Sequence, residues 1–290
     1  MSDACGVTRT TIRVRDRDLP LVSQGTGQPV VLLHGVPGNE ETLEPVAANL
    51  PSKFRGLTLG SNFITGGSGL NRLPGTVQQR DDVIGVIDQL DQGPIHLAAC
   101  SFSAHAAIAV AVLRPELLRS LLIYEPSSPT FVDDAAHVRR IADDAATMLN
   151  PVFEALDAGN TEEAVRRAID GAADDAGWYD RQSARIRSIH RRCAYQLALL
   201  RTQTPVLPIY SRMLRLIRVP TTIAWGTRTR TCYALTSVHA ARLIPNARRK
   251  PVAGANHHLP EADPERFSLL IHEHLHQATS NAVCGRRVQG

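Results

Sequence analysis

The feature that most limits how this chain can fold is an alternation of short, mainly apolar runs with longer stretches of helical spacing. Residues 30–33, 95–98, 118–124 and 221–225 read as such runs. A strand without polar alternation is buried on both faces, as in a parallel sheet covered by helices on two sides. Between these runs, 41–50 and 76–90 place apolar residues at helical intervals, and 104–112 is almost all Ala, Ile and Val. Strand–helix alternation predicts an α/β fold, with a mostly parallel central sheet and helices on both faces. Chemistry in such sheets sits in the loops beyond the carboxyl ends of the strands.

The amino-terminal stretch predicts strands at 11–15 and 19–23, with polar or Gly-rich turns at 16–18 and 25–27. Residues 57–59 suit a short strand, and 60–75, rich in Gly, Ser and Asn, a long loop. From 127 to 218 the character changes. Helical spacing dominates at 135–156, 161–173, 180–200 and 208–217. Strand signals return at 221–225 and 250–252, and a last helix is expected over about 264–276. This divides the chain into a core (10–126 and 219–277), an inserted helical cap (127–218) and a tail without periodicity (278–290) that is expected to fray.

Composition narrows the function classes. The chain has 290 residues, 43% hydrophobic and 21% charged, enough for a full core without staples. The formal charge is +4, but the cations are nearly all Arg, scattered among Asp and Glu, with Lys53 and Lys250 the only lysines. No basic run with interleaved aromatics marks a nucleic-acid partner. No apolar run approaches the ~20 residues of a membrane span. The five cysteines form no CxxC pair, as expected of reduced thiols. The polar first ten residues contain no signal-type apolar segment, so a cytoplasmic location is expected.

One segment carries the chemistry. In Ile95-His96-Leu97-Ala98-Ala99-Cys100-Ser101-Phe102-Ser103-Ala104, a strand runs into a small-residue turn with Ser101 at its apex, then into a helix. That is the layout of a nucleophile elbow, in which strain lifts the apex side chain above the sheet. The usual G-x-S-x-G pattern fails, because Ala99 and Ser103 flank the serine, but both flanks are small. The bland reading is a buried Ser capping a helix. His34-Gly35-Val36-Pro37-Gly38 follows an earlier apolar run and can lend the Val36 amide to an oxyanion hole. The Phe102 amide, next to the apex, would be the second donor. Gly254-Ala255-Asn256-His257-His258 places a histidine late in the chain, where a base for a weak hydroxyl nucleophile is needed.

On these blocks, together with Val219-Pro220 leading to Trp225-Gly226, the chain resembles the α/β-hydrolase superfamily over about residues 10–277. The resemblance implies Ser101 as nucleophile and His257 as general base. His257 rather than His258 matches by its spacing to Pro264 and Phe267. The sequence departs at the third member: where the superfamily usually carries Asp after Trp-Gly, this chain has Thr229. The best replacement is Glu125, at the end of the preceding core strand, as in some relatives; a Ser101–His257 dyad is the alternative. Another departure is Gly60-Ser61-Asn62-Phe63, where many members carry an Asp-x-Arg-Gly-like run.

Other signals are weaker. His272-Glu273-His274-Leu275-His276 matches the H-E-x-x-H zinc pattern literally, but nothing downstream supplies a third ligand. His105 and Cys100 read as core residues, and Trp178 and Tyr179 could either close over a substrate or pack within the cap. No metal or organic cofactor is implied. The expected activity is hydrolysis of a carboxylic ester, lactone or thioester of a small-to-medium molecule through an acyl-enzyme. The alternatives are a carbon–carbon bond hydrolase of diketone-like metabolites and a non-catalytic relative that binds a small ligand.

Overall fold

The computed structural model describes residues 6–61, 75–202 and 209–286. The apolar runs form strands whose successive residues feed two different cores. One sheet, ordered β1-β2-β4-β3-β5-β6-β7-β8, contains β1 (Val7–Val14), β2 (Arg17–Gly25), β3 (Gln28–Leu33), β4 (Phe54–Leu59), β5 (Ile95–Cys100), β6 (Leu118–Tyr124), β7 (Thr221–Gly226) and β8 (Arg248–Val252). The β1–β2 and β2–β4 pairs are antiparallel; every pair from β4–β3 to β7–β8 is parallel.

Helices α1 (Glu44–Ala48), α2 (Thr76–Leu90) and α3 (Ser103–Leu113) connect the first parallel strands. On one face of the sheet, Val31, Leu33, Leu97, Ala99, Leu121, Ile123 and Ile223 pack with α2 and α3 residues such as Val83 and Ile108. On the other, Val30, Leu32, Ala98, Leu122, Tyr124 and Ala224 pack with Val46 and Phe267. This period-2 split explains why the strands read as mainly apolar runs without regular polar alternation. Most of α3 is buried, which suits its Ala-Ile-Val composition.

Between β6 and β7 lie the inserted helices α4 (Ala135–Asp157), α5 (Thr161–Ala173), α6 (Trp178–Arg181), α7 (Ala184–Arg192), α8 (Leu199–Thr202) and α9 (Ser211–Leu214). The expected helix over 180–200 is broken. Ser183 caps α7 by accepting from the Ile186 N–H at 3.2 Å, and a 3-10 turn, Ala194–Ala198, leads into α8. The expected helix over 208–217 shortens to α9, with Pro208 outside the described residues. The expected loop over 60–75 lies outside them too, apart from Gly60, Ser61 and Gly75.

After β7 comes α10 (Thr231–Leu243), which the sequence reading did not resolve because Thr, Ser and Arg dilute its apolar stripe. Then follow β8, the short α11 (Leu259–Ala262) and α12 (Pro264–Arg286). The last helix runs ten residues past His276, where a frayed tail was expected. Extending an existing helix costs far less than starting one, so weak periodicity does not stop it. Among the described residues no helix is long and apolar enough to cross a membrane.

The H-E-x-x-H segment is structural. His274, its middle histidine, is buried against the sheet, bonding Thr222 Oγ1 at 2.8 Å and Ser120 Oγ at 2.8 Å. Ser120 also meets His96 Nδ1 at 2.7 Å. Glu273 pairs with Arg248 and Lys250. Among the described residues no group of three His, Cys, Asp or Glu side chains is arranged to hold a metal ion.

Burial, with like charge nearby, lowers His274 to about 3 and His96 to about 4. Unfolded, both rings take up protons near pH 6.5, so the unfolded state binds more protons as pH falls from there. Stability is therefore full above pH 7 and lost progressively as pH falls through 6.5 towards 4. Each ring held neutral should cost on the order of 2 kcal/mol at pH 5. Urea unfolding at pH 7.5 and pH 5, with His274→Leu as comparison, measures this; an equal acid loss in that variant would contradict the assignment.

Candidate active site

Two strands end in residues with left-handed backbone. Ser101, just past β5, has φ 54° and Glu125, just past β6, has φ 49°. Neither is Gly, so each carries strain of order 1–3 kcal/mol. The sheet imposes it. The Ser101 N–H donates to the Tyr124 carbonyl at 2.9 Å, and the Glu125 N–H to the Ala224 carbonyl at 3.0 Å. Each backbone is thus held by the neighbouring strand, and the left-handed turn sends the side chain over the sheet's carboxyl edge.

The flanks of the elbow explain its departure from the usual pattern. Ala99 and Ser103 are fully buried. The Ser103 hydroxyl donates to the His34 carbonyl and accepts from Gln79 Nε2 at 2.7 Å. It therefore ties the elbow to the loop after β3, which a glycine could not do. That loop runs close by: a Cβ on Gly35 would lie 3.2 Å from Ser101 Cβ. Val36 lines the cleft beside Gly35 and Ser101. Phe102 opens α3 and packs with Leu199, beside Val36.

Three side chains form a chain of hydrogen bonds. Ser101 Oγ lies 2.9 Å from His257 Nε2, and His257 Nδ1 lies 2.7 Å from Glu125 Oε2. Glu125 is fully buried. It also accepts from the Gly226 N–H at 2.7 Å and from Thr229 Oγ1 at 2.8 Å. A carboxylate surrounded by donors fixes the tautomer: Nδ1 carries the proton, and the Nε2 lone pair faces the serine hydroxyl. Tyr233 of α10 stacks on the His257 ring at 3.8 Å, 10° from parallel. Tyr124 Oη donates to the Asn256 carbonyl at 2.6 Å, fixing the loop just before His257.

The structure thus brings Ser101, His257 and Glu125 together and sets Val36 and Phe102 beside them. Thr229, read from the sequence only as a missing acid, is one of the groups that hold the acid in place. Gly226 was legible only as part of a motif. A Cβ there would lie 2.1 Å from the Ala255 carbonyl oxygen, so the two loops approach this closely only over glycine.

The serine opens into a narrow cleft, lined among others by Val36, Ile169, His257, His258 and Glu261. Cys100 borders it, but its thiol is pushed well up, first by burial and then by Glu261 and Glu125, so it is no rival nucleophile. His105 faces Phe131 and is lowered to about 4 by burial. Tyr179 is core, and Trp178 borders a separate outer groove with Arg228 and Arg266.

Among the contacts that bind the inserted helices to this site, three were not foreseen. Ile169 of α5 lines the cleft. Arg230, just past Thr229, pairs with Asp144 of α4 and with Asp174 after α5. Buried Gln196 clamps Gly38: Oε1 accepts from the Gly38 N–H at 2.9 Å, and Nε2 donates to its carbonyl at 2.8 Å.

No family model matches the chain. A hydrolase of 2-(acetamidomethylene)succinate from Mesorhizobium japonicum is 24% identical over 265 residues, 89% of each chain. Among solved structures, a haloalkane dehalogenase variant from Bradyrhizobium elkanii superposes with TM-score 0.73 at 15% identity, over 96% of this chain and 99% of that one. The chain has the α/β-hydrolase fold. A bromoperoxidase from Bacillus anthracis (TM-score 0.70, 18% identity, 92% and 99% covered) and a carboxylesterase from Bacillus subtilis (0.69, 16%, 93% and 91%) share it. Neighbours of such different activities leave the reaction to be argued from the side chains.

Gln196→Leu would leave the Gly38 N–H and carbonyl buried without partners. At about 1–3 kcal/mol per orphaned group, a loss of roughly 2–5 kcal/mol is expected in urea unfolding. A loss within error of zero would show that the clamp does not hold the 34–38 loop.

Proposed function

We propose that this chain is a serine hydrolase that cleaves a carboxylic ester, lactone or thioester of a small-to-medium molecule through an acyl-enzyme. The observation that carries this reading is the relay Ser101–His257–Glu125, at 2.9 and 2.7 Å. A hydroxyl is a poor nucleophile at neutral pH, and a base with its lone pair on that hydroxyl removes the limitation. The Asp nucleophile of fold relatives that pass through an aspartyl ester has no counterpart at this apex.

Ser101 Oγ attacks the acyl carbonyl while its proton passes to His257 Nε2. The carbonyl electron pair moves onto oxygen, met by the Val36 and Phe102 amides. Collapse breaks the bond to the leaving group, which departs with the proton from His257. Water then attacks the acyl-enzyme by the same route, releasing the acid and restoring Ser101. Glu125 holds the imidazole in the required tautomer and stabilises its charged form. No metal or organic cofactor is needed, and the inserted helices act as a cap over a small-molecule substrate. Three buried free thiols, Cys100, Cys193 and Cys232, fit a reducing cytoplasm.

A second reading, hydrolysis of a carbon–carbon bond in diketone-like metabolites, uses the same relay. The relative from Mesorhizobium japonicum is named for a substrate that is not an ester, which favours testing beyond esters.

Labelling with a fluorophosphonate, read by mass spectrometry, should place the adduct on Ser101 and lose it in Ser101→Ala and His257→Ala. A folded parent that takes no label would overturn the reading. Glu125→Gln should slow acylation by about 10³-fold, and Thr229→Val, which removes one donor from the acid, by roughly three- to tenfold. Near-parental acylation in Glu125→Gln would leave the Ser101–His257 dyad as the mechanism.

A further inference from the structure

A second carboxylate faces the same cleft, and the relay does not use it. Glu261, on the short helix that follows the His257 loop, lines the cleft with Ser101, His257 and Pro260. Its side chain is only 13% exposed. Its Oε2 lies 3.1 Å from Nε2 of fully buried His190 and 3.3 Å from His258 Nδ1. His258 Nε2 lies 3.0 Å from the Ile169 carbonyl. Burial alone would raise Glu261, but His190 and His258 beside it hold it well below the ordinary carboxylate range. Its charge is felt at Cys100, next to the nucleophile.

The two imidazoles engage one oxygen. Among the described residues, Oε1 accepts no hydrogen bond, and it is absent from the buried atoms without partners. Glu261 lines the cleft, so an open oxygen on it is within reach of a molecule bound there. An ionised carboxylate oxygen only accepts. With two imidazoles already facing its partner oxygen, a single O–H or N–H donor completes its hydrogen bonding.

We propose that Glu261 Oε1 is a substrate-recognition point, and that the substrate's acyl group carries a hydroxyl or amide N–H that donates to it. This rests on the hydrolase reading only in calling the bound molecule a substrate. Acyl groups that offer only an acceptor at that place are disfavoured, because two acceptors would then be buried face to face.

Three esters of one size separate these cases: ethyl butyrate, ethyl 3-hydroxybutyrate and ethyl acetoacetate, with methylene, hydroxyl and carbonyl at the same carbon. Binding is measured by ligand-observed NMR on Ser101→Ala protein, so no turnover is needed. The hydroxyester should bind roughly tenfold more tightly than the other two, as a hydrogen bond to a charged acceptor allows. In Glu261→Gln on the same background, the amide oxygen stays on His190 and the NH2 group turns to the cleft. The order should then reverse in favour of the acetoacetate. A merely structural Glu261 would weaken all three esters alike. Equal binding of the three, undetectable binding of the hydroxyester, or an order unchanged by Glu261→Gln overturns the proposal. If Glu261→Gln does not fold, the order in Ser101→Ala alone decides. If the parent hydrolyses none of the esters and takes no label while the binding order holds, the hydrolase reading falls and the recognition point stands.

Discussion

The arrangement depends on a buried carboxylate that only a sheet edge could hold. Glu125 is fully buried, and a charge so placed is tolerable only when nearly every lone pair meets a donor. Three donors converge on it: a backbone N–H from the end of β7, a hydroxyl from the loop beyond it, and the imidazole. They come from two segments that leave adjacent strands. Parallel strands aligned at their carboxyl ends, with one left-handed residue capping β6, put the acid between them.

Strain and stacking complete the positioning. Ser101 and Glu125 share the same unusual backbone region, each anchored by an N–H that continues the sheet ladder. The imidazole between them is fixed on its edges by the two oxygens and on one face by Tyr233. Little rotational freedom remains to be removed when a substrate arrives. Ser103 adds a bond from elbow to neighbouring loop, so an apparent flaw in the sequence motif becomes a point of attachment.

Much of this was legible in the sequence. The mainly apolar runs of β3, β5, β6 and β7 announced a sheet covered on both faces, and the small residues around Ser101 announced the elbow. Glu125 could be named because one acid was missing and one stood at a strand end. What could not be read depends on distant segments meeting. Thr229 signals nothing until the fold sets it against Glu125; Gln196 lies 158 residues from the glycine it clamps. The breaks in the inserted helices follow from side-chain caps and tertiary contacts, which periodicity does not record. The H-E-x-x-H match misleads for the complementary reason: the spacing is right for a metal, while the fold pairs its Glu273 with Arg248 and Lys250 and, among the described residues, brings no third ligand.

Moving the acid from the end of β7 to the end of β6 changes what the vacated loop can do. Thr229 grips Glu125, and the very next residue, Arg230, grips Asp144 and Asp174 among the inserted helices. One peptide bond therefore separates the joint to the helices from the joint to the acid. A loop that itself carried the acid would have to keep still. Here the joint to α4 and the joint to the acid sit on neighbouring residues, so a shift of α4 relative to β7 would be passed to the carboxylate through Arg230 and Thr229.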